Sequence, residues 1–210
     1  MFLQILIPVL TFLGICVIFR SIISVPGTGY KKKLKRLLEE EQEANFSRTK
    51  EIPGELVIKP GLDFFDSPLF DFDDTDEKHE SLKRIKESTI KKGDRYMLRL
   101  SENLTNLELK KWFGPGNLEK ISIYEGNYYN YLHSLNTFGE LLEKNEMKEA
   151  AQKVLEHAIF EIKSSVVKSY QMLINIYKEN KDSEKLSELK KFIEIEFQDE
   201  DLRKKIEGLL

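Results

Sequence analysis

The sequence predicts an all-α protein with an N-terminal transmembrane helix, an extended or disordered linker and a C-terminal array of antiparallel helix hairpins. Three observations predict this arrangement. Residues 2–19 are almost entirely apolar, and residues 61–80 interleave acidic and aromatic side chains. The apolar pattern beyond residue 132 recurs 35 residues later, as from Leu135 to Tyr170. A recurring two-helix unit buries its apolar face by stacking on its neighbour.

These features divide the chain into three predicted parts. Residues 1–25 form the transmembrane anchor. Residues 26–103 hold a juxtamembrane basic helix, the acidic aromatic linker and a charged helix, and residues 104–210 form the helical domain.

Composition excludes several classes of function. The formal net charge is -3, so no basic excess indicates a nucleic-acid partner. The single cysteine, Cys16, cannot form an internal disulfide or a paired-cysteine metal site. The three histidines lack the spacing of a zinc motif, and the sequence contains no P-loop, nucleophile elbow or dinucleotide fingerprint. We therefore predict a protein that is not an enzyme and has no metal or cofactor.

The apolar N-terminal segment is expected to be an uncleaved, single-pass anchor that contacts the membrane through residues 2–25. A spanning helix needs about 20 apolar residues, which this segment supplies if Arg20 reaches the interface. A cleaved signal peptide would begin with basic residues and end at a small-residue site, and neither is present. Ile15 before Cys16 also argues against a lipoprotein signal.

Basic residues follow the segment, and the positive-inside rule places the soluble part in the cytoplasm. They are Lys31, Lys32, Lys33, Lys35 and Arg36. The same run can contact anionic head groups, at about 1 kcal/mol per charge, or it can serve only to fix topology. Residues 31–45 are expected to be helical, with a narrow stripe of leucines.

The linker allows two interpretations. Residues 52–60 are expected to be extended and packed on helices, without a partner strand, and residues 95–101 could form a helical turn or a strand. Residues 61–80 contain eight acidic residues and four phenylalanines, which is typical of a disordered interaction segment. Alternatively, the phenylalanines lie under the helical domain. The DFDDTD stretch lacks the glycine of an EF-hand loop, so no calcium site is predicted.

The helical elements are predicted from apolar spacing and end signals. A capping box formed by Thr105 and Glu108 opens a helix that ends before Gly114. Asn117 is the expected cap of the next helix, Ser164 or Ser165 of a later one and Asp182 of another. The predicted helices lie at 77–92, 118–144, 148–162, 165–180, 183–197 and 199–209.

The repeat is the strongest signal in the sequence. One copy contains Leu135, Phe138, Gly139, Leu142, Ala151, Leu155 and Ala158. Its counterparts are Tyr170, Leu173, Ile174, Tyr177, Leu186, Lys190 and Ile193. Six of the seven pairs are apolar in both copies or pair a small residue with an apolar one, and only Leu155 against Lys190 breaks the match.

This pattern over residues 132–197 resembles the tetratricopeptide repeat, and the layout is similar to single-span bacterial proteins that carry such repeats. It departs from that family in its period of 35 rather than 34, in the large residues Leu186 and Ile193, and in having no closing proline.

The resemblance implies a groove that binds another protein or peptide segment along the first helix of each unit. By position, the groove residues are His133, Asn136, Thr137, Glu140, Lys168, Gln171, Asn175 and Lys178. Glu140 stands where an amide is expected, so capture of a free C-terminus is not implied. The alternative is a structural membrane subunit that self-associates, with a plain helical bundle and no groove. Residues 61–80 could also cover the face until a partner displaces them.

Overall fold

A computed structural model describes residues 27–72, 77–100, 104–197 and 199–210. The described chain is mostly helical, so the all-α prediction is confirmed at that level. Within these ranges no helix is both long enough and apolar enough to cross a bilayer. The predicted transmembrane segment at residues 2–25 lies outside them.

The helices agree closely with those predicted from the sequence. Their bounds are α1 Gly27–Asn45, α2 Glu77–Gly93, α3 Asn106–Phe113, α4 Leu118–Lys144, α5 Lys148–Glu156, α6 Val167–Glu179, α7 Ser183–Glu196 and α8 Glu200–Glu207. A π-helical turn, His157–Glu161, continues α5. Single 3-10 turns lie at Gly54–Leu56, Asp63–Asp66, Pro68–Phe70 and Pro115–Asn117.

The extended segment has a partner strand, contrary to the sequence prediction. Strand β1, Val57–Ile58, pairs antiparallel with β2, Met97–Leu98. Val57 lies opposite Leu98, and Ile58 opposite Met97. The prediction was wrong because the pairing joins residues that are distant in sequence and each strand is too short to show period-two alternation.

The chain divides into two compact units. In the first, residues 27–50 accompany residues 105–116. The capping box is confirmed, since the Thr105 amide donates to the Glu108 carboxylate at 2.7 Å. Gly114 ends α3 with φ +82°, and a Cβ there would lie 2.5 Å from the Thr49 Cα, so only glycine fits. Ion pairs Lys111–Glu40 and Lys110–Glu41 join α3 to α1.

The second unit contains residues 51–104 and 117–210, with 73–76, 101–103 and 198 outside the description. Phe65, Phe70 and Phe72 converge on the ring of Phe138, with centroid distances of 6.1, 5.9 and 6.3 Å. The described part of the acidic segment is therefore packed under the helices, as one of the two interpretations expected. Phenylalanines from before residue 103 thus lie in the core of the helices that follow residue 117.

The helices of this unit form antiparallel pairs. Tyr131 contacts His157, and Gly139 lies beside Leu155, so α4 and α5 run in opposite directions. A Cβ on Gly139 would lie 3.1 Å from Leu155, which explains the small residue. Helix α2 runs antiparallel to α4 on another side, where the Thr89 and Ser134 hydroxyls are 2.7 Å apart and Gly93 lies against Tyr131.

The pair α6–α7 packs on the pair α4–α5, and corresponding helices point the same way. Ser169 of α6 hydrogen-bonds Asn136 of α4, and Met172 lies near Gly139, so these two helices are parallel. Lys185 of α7 pairs with Glu156 of α5, and Phe192 packs on Phe160 beyond it. The equivalent helices of the two pairs therefore run parallel.

Left-handed residues end three helices. Glu146, Lys163 and Lys181 have φ of 61°, 59° and 56°. Glu146 and Lys181 are 35 residues apart, so the predicted repeat recurs in the backbone of its turns. Reversal of the chain there requires a positive φ, which a glycine adopts more readily than these side chains.

Two of the predicted caps are wrong. Asp182 accepts from the Lys185 amide, as predicted. The Asn117 side chain does not cap α4, and α6 begins after Val166 rather than after Ser164 or Ser165. Ser164 is buried and its hydroxyl accepts from the Val166 amide at 3.1 Å, so it shapes the preceding turn instead.

The aromatic core gives a first prediction. Phe70→Ala should lower the free energy of unfolding by about 3–5 kcal/mol, because it leaves a cavity against Phe138. Urea denaturation followed by circular dichroism measures it. Ile195→Ala, at a position 83% exposed in the same unit, is the control and should change stability by less than about 0.5 kcal/mol. Equal effects of the two variants would contradict the packing of the acidic segment.

The turns give a second prediction. Lys181→Gly should raise the free energy of unfolding by about 1 kcal/mol, because glycine adopts the left-handed conformation without steric cost. Lys163→Gly is the matched variant and should gain less, because Lys163 also pairs with Glu196 at 2.9 Å. A loss of stability in Lys181→Gly, measured by the same denaturation, would argue against the assigned turn geometry.

Candidate functional site

One row of polar side chains lies along α6. Lys168, Gln171, Asn175 and Lys178 are all exposed, at spacings of three, four and three residues. This spacing keeps the four side chains on one side of a helix. These four residues are the ones that the sequence assigned to the groove of the second repeat.

The corresponding residues on α4 are less uniform. His133 is exposed, and Thr137 and Glu140 are half-buried. The Thr137 hydroxyl donates to the carbonyl of His133 at 2.9 Å. Asn136 differs from the expectation, because it is only 9% exposed.

Asn136 lies at the junction of α4 and α6. Its amide group donates to Glu140 at 2.8 Å, and its carbonyl accepts from the hydroxyl of Ser169 at 3.2 Å. Buried polar groups need such partners. Asn136 therefore fixes the register of the two helices and is not exposed to a binding partner. Ser169 was missed at the sequence level, although a serine on the buried side of an amphipathic helix is a usable signal.

An ion pair closes this junction at the surface. The Nζ of Lys168 lies 2.7 Å from the carboxylate of Glu140. The Lys168 side chain is 56% exposed, so the pair contributes at most about 1 kcal/mol and can open without large cost. The structure thus brings Asn136, Glu140 and Lys168 together into one network.

The other end of the row is occupied by the chain itself. The Nζ of Lys178 donates to the carbonyl of Leu209 at 2.8 Å, beyond the end of α8. We define the α4–α6 face by the exposed and half-buried members of the predicted set. These are His133, Thr137, Glu140, Lys168, Gln171, Asn175 and Lys178.

A buried histidine lies on the opposite side of α4. His157 is 3% exposed, and its Nε2 is 3.0 Å from the hydroxyl of Tyr131. Its ring stacks on Phe64, and Nδ1 lies 3.1 Å from the carboxylate of Glu161. Burial lowers the pKa of His157, and the nearby Glu161 carboxylate opposes that shift only in part. Sequence spacing alone gave no sign of this cluster, because Phe64 and Tyr131 are far from it along the chain.

A second cluster joins β2, the turn after α5 and the end of α7. The Glu196 carboxylate lies 2.6 Å from Arg99 and 2.9 Å from Lys163. Burial raises the pKa of Glu196, but hydrogen bonds from Lys163 and Arg99 outweigh that effect and hold the pKa below its usual value. These ion pairs attach the turn after α5 to α7 and to the end of β2, so they stabilise the fold.

Two clefts flank Asp71. The larger has a volume of about 370 Å³ and is lined by Leu69, Met147 and charged residues that begin α5. The smaller, of about 240 Å³, lies between Phe72 and Lys86. Among the residues that the structure describes, no group of three acidic, histidine or cysteine side chains is placed to hold a metal ion.

Comparisons with known proteins give no relative. No family model matches the chain, and neither a curated protein nor a solved structure matches it.

The buried histidine gives a third prediction. Because its pKa is lowered from 6.5, the unfolded chain binds a proton first, and stability should fall as the pH drops below about 6.5. Urea denaturation at neutral and mildly acidic pH measures this slope. His157→Gln should flatten it, because the titrating group is gone, whereas His133→Gln at an exposed position should retain it. An unchanged slope in His157→Gln would show that other groups account for the acid sensitivity.

Proposed function

We propose that this chain is a membrane-anchored, non-catalytic protein that binds a segment of another protein on the α4–α6 face. The observation that carries the proposal is the exposed row on α6, from Lys168 to Lys178, beside a parallel α4. The solvent-facing row of amides and cations along α6 provides directional donors along one line.

The proposal includes a tetratricopeptide-like array. Two features support it: the antiparallel pairs α4–α5 and α6–α7 stack with equivalent helices parallel, and their left-handed turn residues are 35 positions apart. In such arrays the first helices of successive units line a common surface. Here those helices are α4 and α6.

The length and charge of the α6 row indicate which kind of protein segment it can bind. Lys168 and Lys178 are about 15 Å apart along the helix, at 1.5 Å per residue. An extended segment of about five residues spans that length. The side-chain amides of Gln171 and Asn175 lie one turn apart and can pair with its peptide groups. The lysines at either end favour a guest with acidic side chains.

Glu140 adds a selective element. A guest carboxylate that approaches Lys168 competes with Glu140, which already pairs with that lysine at 2.7 Å. An acidic guest therefore binds only when Lys168 exchanges partners, and the freed Glu140 carboxylate then repels that guest. On this proposal Glu140→Gln strengthens the interaction.

The membrane anchor and the cytoplasmic placement of the helical units rest on the sequence. Residues 2–19 are apolar and the basic run follows them. Carbonate extraction of membranes from cells that produce the full chain tests the anchor. Protease accessibility in intact cells tests which side of the membrane carries the helical units.

The face gives a fourth prediction. A photo-crosslinking amino acid at Gln171 in the full-length chain should form an adduct with a partner in cells, whereas the same label at exposed Lys190 of α7 should not. Asn175→Ala should then reduce the Gln171 adduct about tenfold, as loss of about 1.4 kcal/mol would. Glu140→Gln should increase it.

Three outcomes of this experiment differ in meaning. Equal adducts from Gln171 and Lys190 would contradict the α4–α6 face. An adduct between two copies of the chain would instead favour a self-associating structural subunit. An adduct that Asn175→Ala leaves unchanged would place the contact elsewhere on α6.

A further inference from the structure

The first half of α1 presents an exposed apolar stripe. Tyr30, Leu34, Leu37 and Leu38 are 73%, 45%, 47% and 57% exposed. Their spacing of four, three and one residues places them on one side of the helix. Four large apolar side chains that are exposed on one side of a helix form a candidate interaction surface.

Basic side chains surround this stripe. Lys31, Lys32, Lys33, Lys35 and Arg36 are all exposed and belong to the same two turns. At 100° per residue, Lys31 and Lys33 lie on either side of the stripe, and Lys32 and Arg36 lie behind it. The surface is therefore apolar along its centre, with a lysine at each margin.

The second half of α1 has a different role. Its acidic residues Glu40 and Glu41 pair with Lys111 and Lys110 of α3, and Ala44 is buried. This end of the helix is held within its unit, while the basic and apolar end is exposed. The C-terminal half of α1 thus attaches the helix to its unit, and the N-terminal half is left exposed for contact with a partner.

We infer that residues 30–38 lie on the surface of an anionic bilayer, with the leucine stripe in the acyl boundary and the flanking Lys31 and Lys33 at the phosphates. A helix with an apolar face and lysines at its margins is the form that binds at the interface plane. Each cation near an anionic surface contributes about 1 kcal/mol. The inference goes beyond the proposed function and does not require a guest on the α4–α6 face.

A second copy of the chain fits this surface less well. The next positions on the stripe side of α1 are Glu41 and Ala44, of which one is charged and the other is already buried. A coiled coil needs about three or four heptads, and this stripe covers little more than one. Two copies would also bring the lysines at 31–33 of each chain together, whereas Lys35 and Arg36 are paired with Glu39 and Glu40.

Spin labelling of the full-length chain in vesicles tests the inference. After Cys16→Ser, a nitroxide is placed at Leu37→Cys on the stripe or at Glu39→Cys behind it. In vesicles that contain phosphatidylglycerol, the label at 37 should become more accessible to oxygen than to a polar nickel complex. The label at 39 should show the reverse. The shift at 37 should be lost in pure phosphatidylcholine or at high salt.

Charge variants provide the matched control. Lys31→Gln, Lys32→Gln and Lys33→Gln together should abolish the shift at 37. The same number of changes at exposed positions of the other unit, Lys190→Gln, Lys191→Gln and Lys205→Gln, should leave it intact.

Two results would overturn the inference. One is equal nickel accessibility at 37 and 39 in phosphatidylglycerol vesicles. The other is dipolar broadening between labels at 37, which would identify a second copy as the occupant. The Gln171 crosslink reports on the α4–α6 face separately, so the two proposals can fail independently.

Discussion

The contact on which the larger unit depends is the packing of three phenylalanines from an acidic segment against Phe138. Phe65 and Phe70 are each 1% exposed, and Phe138 is fully buried. The rings supply apolar area that α4 does not obtain from α5 and α6. Together with α2, the segment thereby covers the sides of α4 that α5 and α6 leave open.

Much of this fold follows from local rules. The capping box at Thr105, the stop at Gly114 and the helices after residue 117 are set by side chains within a turn of each other, and they were predicted. The strand pairing of Val57 with Leu98 and the burial of Phe70 depend on residues far away in the chain. Local patterns contain no information on such contacts, so acidic-aromatic alternation left order and disorder equally open.

The candidate face shows the same limit. Helical spacing identified the row on α6, because exposure repeats with the helix period. It did not identify which members are engaged: Asn136 holds Ser169, Glu140 pairs with Lys168, and Lys178 donates to Leu209. Each of these contacts joins two helices or a helix and the chain end. Only the packing therefore shows that Gln171 and Asn175 are the positions at which to test partner binding.

The π-helical turn at His157–Glu161 has a consequence for how the repeat length is accommodated. A π turn holds one residue more than an α turn, so an inserted residue is absorbed inside the helix and not in a loop. It lies between Glu146 and Lys181, whose turns keep nearly the same backbone angle. A residue inserted at this point can thus rotate the side chains after it while both hairpin bends stay unchanged. A change in the length of this helix would then appear as a change in the direction in which the side chains after the π turn point.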